Sequence, residues 1–256
     1  MASVIGAQLY TIREYTKTAE EMRASLARVR SLGYEAVQVS GHGAEITDAE
    51  IARMMADNGL TVAATHVRYD AIRDDPQSVI DKHGVWGCRH VGIGSMPAEY
   101  KRDLDGFARF AHDASAAARP LIDAGLTFSY HNHSFELERV EDGRTGLQAL
   151  VDGSVAEVFS FEIDTYWIQH GGGNPVSWLR SLAGRMPLVH VKDMAMRGSE
   201  QLFAEVGEGN LEWSGILDAC RDGGVEWYLV EQDICQGDPF DALGVSLRNL
   251  RGMGLH

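Results

Sequence analysis

The chain has 256 residues, 45% of them hydrophobic and 23% charged, with a formal net charge of −14 at pH 7. That length buries a large core without covalent staples, and the composition is ordinary for a globular chain. A surface this acidic repels phosphate backbones and anionic headgroups, which argues against nucleic-acid and membrane partners.

From the N-terminus, short apolar, β-branched runs recur at Val4–Leu9, Ala36–Val39, Thr61–His66, His90–Ile93, Thr127–His131, Val158–Asp164, Leu188–Val191 and Trp227–Glu231. Each predicts a strand, and runs without alternation predict strands buried on both faces. Between them the spacing predicts helices, as over Ala19–Leu32, Asp48–Asn58 and Phe107–Ala124. In the first, Met22, Leu26 and Val29 share a face, with Arg23, Arg28 and Arg30 away from it. Gly33, Gly59 and Gly125 each stand where a helix hands over to a strand, as left-handed terminators. Gly223-Gly224-Val225 repeats that turn.

Eight such units with no leftover segment predict a closed (β/α)8 barrel, one α/β domain spanning residues 1–256. A doubly wound sheet would want a Gly-rich phosphate turn after the first strand, and Tyr10-Thr11-Ile12-Arg13 stands there instead. Cys88, Cys220 and Cys235 lie far apart without a CxxC spacing, which fits reduced thiols. With no signal-like start and no apolar stretch of spanning length, a cytoplasmic location is expected.

In such a barrel the active site lies at the carboxyl ends of the strands. Those ends carry His66, His131 with His133, Asp164, His190 and Glu231, whereas Thr61, Thr127 and Trp227 open the opposite ends. Imidazoles and carboxylates converging on one rim are the ligand types of a single divalent ion: Mn, Mg, Co or Zn. Taken singly, a histidine there also reads as a pocket residue, and Asp164 before Thr165 reads as a helix N-cap.

Gly6-Ala7-Gln8-Leu9-Tyr10, Tyr130-His131-Asn132-His133-Ser134-Phe135-Glu136, Glu162-Ile163-Asp164-Thr165-Tyr166-Trp167, Val189-His190-Val191-Lys192-Asp193-Met194, Val206-Gly207-Glu208-Gly209-Asn210 and Val230-Glu231-Gln232-Asp233 resemble motifs of the sugar phosphate isomerase/epimerase family. This family lies within the xylose-isomerase-like barrel superfamily, alongside inosose dehydratase, keto-sugar epimerases and endonuclease IV. The resemblance covers essentially the whole chain. It implies a metal held by Asp164, His190 and Glu231 and by a fifth-strand group. Many relatives have Glu at that last position and this chain has His131, so either His131 or Glu136 from the following loop completes the set. Relatives that epimerise ketoses use glutamates on the fifth and eighth strands as opposed bases, and here the former is missing.

Strand parity sends His131 with His133, Glu162 with Asp164, and His190 with Lys192 to common sides. His133 is then a general-base candidate by its ordinary pKa, and Lys192 either assists an oxyanion or pairs with Glu162 or Asp193. The candidate catalytic set is His133, Glu231, Lys192 and Glu162. Tyr10, His66, Glu136 and Trp167 are candidate substrate contacts, with Tyr166 alongside as part of an aromatic wall. A phosphate cradle at Gly207-Glu208-Gly209 is a weak reading, since Glu208 opposes an anion.

The expected activity is metal-dependent isomerisation or epimerisation of a sugar or keto-sugar through a metal-stabilised enediolate. The alternative is a lyase that expels a β-leaving group from the same intermediate. An endonuclease IV-like nuclease conflicts with the charge, and a non-catalytic barrel would bind no metal. The partner is a small-molecule sugar, and a homo-oligomer is compatible with the sequence.

Overall fold

Eight parallel strands close into a barrel in the computed structural model, which describes residues 4–256. They are β1 (Ile5–Gln8), β2 (Ala36–Val39), β3 (Thr61–His66), β4 (His90–Ile93), β5 (Thr127–His131), β6 (Phe159–Asp164), β7 (Leu188–Val191) and β10 (Trp227–Val230). Each pairs in parallel with its neighbours, and β1 closes the ring against β10. All eight coincide with the strands expected from sequence, the differences being single residues at the ends.

The connecting helices are α1 (Ala19–Leu32), α2 (Asp48–Asn58), α3 (Tyr69–Asp74), α4 (Pro76–Trp86), α5 (Leu104–Ala117), α6 (Arg119–Asp123) and α7 (Gly146–Gly153). Beyond β6 they continue as α8 (Thr165–His170), α9 (Pro175–Ser181), α10 (Trp213–Asp222) and α11 (Pro239–Gly252). Helix α1 buries Met22, Leu26 and Val29, starts on a Thr18–Glu21 capping box and ends at Gly33 with φ 106°. The single helix expected over Phe107–Ala124 is in fact two. Pro120 lacks the N–H that would bond back to the Ala116 carbonyl, so the helix re-forms as α6 with Pro120 in its first turn.

Between β7 and α10 lies a hairpin that the sequence reading missed, β8 (Asp193–Arg197) against β9 (Glu200–Ala204). Gly198, with φ 60°, is the first of the two loop residues that turn it. The segment that follows its return strand is anchored by Asp193. The buried Asp193 carboxylate accepts from the N–H groups of Gly207, Gly209 and Leu211 at 2.9, 3.2 and 3.2 Å, and from Trp213 Nε1 at 2.6 Å. The Gly207 and Gly209 amides are therefore spent on an internal carboxylate and the Glu208 amide on the Glu205 carbonyl, which removes the phosphate-cradle reading.

The barrel interior changes character along the strands. Ala36, Ala64, Leu188 and Leu229 form a small apolar plug. Two residues further along the same inward faces stand Gln38, His66, His190 and Glu231. The register sets Asp164 opposite His190 and His131 opposite Glu162. The polar layer is therefore stacked on a dry one, at the carboxyl ends of the strands.

Candidate metal centre at the barrel mouth

His131, Asp164, His190 and Glu231 each offer a ligand atom, and these four atoms lie within 4.8 Å of one another. His131 Nε2 is 3.3 Å from Asp164 Oδ2, and His190 Nδ1 is 2.9 Å from Glu231 Oε2. Burial is nearly complete: Asp164 and His190 are 0% exposed, His131 3% and Glu231 6%. Two imidazoles and two carboxylates converging at this depth fit a divalent transition ion.

Asp164 caps a helix with one oxygen and faces the cluster with the other. One oxygen, Oδ1, accepts the Trp167 N–H at 3.0 Å and caps α8. The other, Oδ2, faces the cluster. The helix start fixes the carboxylate, and the fixed carboxylate serves the site.

Lys192 has neither of the partners expected for it. Its ammonium lies 2.9 Å from Asp164 Oδ2 and 2.6 Å from both Glu231 Oε2 and Asp233 Oδ2. Burial opposes its charge, but Asp164, Glu231 and Asp233 more than offset this and hold the ammonium well above the usual lysine range. His190 behaves alike. Burial works against its cation, while Glu162 and Glu231 raise its pKa to about 10. Two cations thus neutralise the carboxylates of the cluster, and those carboxylates stay ionised despite burial.

Beneath the four lies a second layer. The Gln38 side-chain carbonyl accepts from His190 Nε2 at 2.7 Å and from Gln8 Nε2 at 2.8 Å, and the Gln38 amide donates to Glu162 Oε1 at 2.9 Å. Glu162 Oε2 accepts from His66 Nε2 at 2.5 Å. Glu162 is 0% exposed and absent from the cavity wall, with its two oxygens against His66 and His190. Sequence reasoning passed over Gln38 and gave no role to Gln8 or Asp233, although both lie in the motifs that carry the resemblance. For the two glutamines the signal was a polar residue at an inward position of an otherwise apolar strand.

A cavity of about 420 Å³ opens above the cluster, with Tyr10, His66, His131, His133 and Glu231 in its wall. Of the other candidate contacts, Glu136 is placed elsewhere. It is 0% exposed and accepts the Tyr130 hydroxyl at 2.5 Å and the His133 N–H at 2.8 Å, away from both cavity and cluster. The structure therefore offers His131, not Glu136, as the fifth-strand member. Trp167 is half-buried beside His133, with ring centroids 5.4 Å apart, and stands behind the cavity wall. Tyr166 is buried and stacks on Phe203 of the hairpin at 4.1 Å, so it forms no wall of the mouth.

His133 reaches the mouth with an unusual charge state. Burial, together with His131 and Lys192, pushes its pKa down to about 3, far from the ordinary value assumed from sequence. It is a neutral imidazole throughout the physiological range, and its buried Nδ1 has no partner. An unpartnered buried nitrogen next to the cluster is a further polar group able to meet a ligand there.

No family model matches the chain, and no curated protein matches it. Solved structures do. A sugar phosphate isomerase/epimerase from Parabacteroides distasonis superposes with a TM-score of 0.82 at 21% identity, over 98% of this chain and 94% of that one. An L-ribulose 3-epimerase gives 0.72 at 18% identity, over 100% and 95%. A probable 3-DHS dehydratase from Bacillus anthracis gives 0.71 at 10% identity, over 96% and 98%. Among the described residues no helix is long and apolar enough to cross a membrane. The chain has the fold of the xylose isomerase-like and sugar phosphate isomerase/epimerase barrels.

Proposed function

We propose that the protein is a divalent-metal-dependent isomerase or epimerase that moves a proton next to the carbonyl of a sugar or keto-sugar. The observation that carries this is the convergence of His131, Asp164, His190 and Glu231 within 4.8 Å beneath a polar cavity. The fold shared with an L-ribulose 3-epimerase and a sugar phosphate isomerase/epimerase supports it.

The four residues would hold the ion, which when bound polarises a substrate carbonyl and stabilises negative charge on its oxygen. The chain supplies the rest. Glu231, kept ionised by Lys192 and His190, and His133, kept neutral, both line the mouth and are the groups able to accept a carbon-bound proton. His66, fixed by Glu162, presents its other nitrogen to a sugar hydroxyl, and Tyr10 offers a ring face. Lys192 keeps three carboxylates in place.

The lyase reading is favoured by one feature. With His131 on the fifth strand, opposed glutamate bases are absent, so proton removal and return need not be symmetric, and loss of a β-leaving group can follow instead. Incubation of Mn²⁺-loaded protein with keto-sugars in D₂O separates these outcomes. Deuterium beside the carbonyl with the skeleton intact supports the isomerase or epimerase, and an unsaturated elimination product supports the lyase. No exchange and no product with any divalent ion rejects both.

A further inference from the structure

A second cavity, of about 550 Å³, adjoins the mouth on the side of β2 and β3. The two share Ser40, Gly41, His66, Val67 and Arg68, so they form one continuous cleft with the His66 ring at the junction. Ligand pockets span about 300–1,000 Å³. The mouth alone lies near the lower end of that range, which suits a single sugar ring, and the adjoining groove offers at least as much room again.

The groove's chemistry defines what it takes. Ser40, His42, Ser78 and Lys82 bring hydrogen-bonding groups to it, interleaved with Val67 and Ala71. Its cations are already paired. Arg68 forms a two-pronged pair with Asp70, and Lys82 Nζ lies 3.4 Å from Asp48 Oδ1. With its charges matched in place, the groove has no surplus to attract a phosphate or carboxylate. Donors and acceptors alternating with small apolar patches instead match the hydroxyl and C–H faces of a neutral carbohydrate ring. A third cavity lies past Arg68 around Met96 and Pro97 and also meets the mouth, through Val67, Arg68, Gly94 and Ser95, but His66 does not line it.

We propose that the groove binds the second residue of a disaccharide-sized ketose whose reacting residue occupies the mouth. This rests on the sugar reading above and adds its size class. The test uses the full Mn²⁺-loaded chain with fructose and with the ketose disaccharides lactulose, turanose and isomaltulose. Binding is followed by saturation-transfer NMR and turnover by deuterium exchange.

At least one disaccharide is expected to bind about tenfold or more tightly than fructose. Ser78→Trp, a change at an exposed position of α4, should raise the KM for that disaccharide about tenfold and leave fructose kinetics within about twofold. Pro97→Trp, in the third cavity, should change neither. Unfolding curves establish that both variants fold. Equal handling of fructose and all disaccharides, or the same effect from Pro97→Trp, overturns the subsite. Turnover confined to fructose rejects the subsite and keeps the reaction. Disaccharide binding that is blocked by Ser78→Trp, without any turnover, rejects the reaction and keeps the subsite.

Discussion

The side-chain carbonyl of Gln38 accepts the Nε2–H of His190 at 2.7 Å, and with Glu162 Oε1 3.3 Å from the same nitrogen this bond sets which nitrogen of that histidine faces the cluster. Gln38 can only accept at that oxygen, because its amide is committed to Glu162 at 2.9 Å. Nε2 must then carry the proton and Nδ1 is left for Glu231, Asp164 and an ion. Gln38→Leu keeps the bulk and removes the acceptor. The expected result is Mn²⁺ affinity about 10–100-fold weaker in a folded protein, measured by calorimetric titration. Unchanged affinity would mean that the tautomer is fixed some other way.

Asp164 can be divided into its two roles by a pair of variants. Asp164→Asn keeps an oxygen to cap α8 but loses the charge facing Lys192 and His131, and Asp164→Ala loses both. Metal binding should disappear in both. The alanine variant should be less stable than the asparagine variant by about 1 kcal/mol, the usual worth of an N-cap, as read by denaturant unfolding.

Metal binding should release protons. The His190 imidazole, raised to about 10, carries a proton on each nitrogen near neutrality, and an ion must replace the one on Nδ1. Titrations at pH 7 in two buffers of different ionisation enthalpy should show about one proton released per ion, with affinity rising as pH rises. An excess of about 100 Kd of the ion should stabilise the fold by about 2.7 kcal/mol, and a chelator should abolish that gain.

Glu136 gives a pH-dependent stability of the opposite sign to most acids. Burial raises its pKa from 4.5 to about 7, so between these values the folded chain binds the proton more tightly than the unfolded one. Stability therefore falls as pH rises through that window, and the contribution is fully present below it. The slope is on the order of 1 kcal/mol per pH unit. Glu136→Gln should remove it, so the stability of the native protein relative to the variant should decline between about pH 5 and pH 7.

His133 should separate proton transfer from metal binding. His133→Ala is expected to lower kcat about 10²–10⁴-fold in the D₂O exchange assay while leaving Mn²⁺ affinity within a few-fold. A parallel loss of affinity would instead place the imidazole in the metal set.

The barrel is legible in the sequence because its signal is local and repeated. Runs such as Ala36–Val39 and Leu188–Val191 are buried at every position, and Gly33 and Gly59 mark helix ends where a left-handed backbone is required. Asp164, His190 and Glu231 end three of the expected strands and fall in the motifs that carry the family resemblance, so the sequence already names three members of the cluster. The hairpin β8–β9 escaped because two five-residue strands show too short an alternation, and their anchor is one carboxylate, Asp193, reaching amides 14–18 residues away.

Tertiary structure alone decided which groups touch. Glu136 and His131 both sit within six residues of Tyr130, yet the Tyr130 hydroxyl holds Glu136 outside the barrel while parity turns His131 inward. Lys192 meets Asp164, Glu231 and Asp233 rather than its neighbour in sequence, and His133 is held unprotonated by burial, by His131 and by Lys192. Period and propensity act over a few residues and are written in the chain. Electrostatic partners and desolvation depend on distances between strands far apart in the chain, 152 residues for His190 and Gln38, and exist only once the barrel has closed.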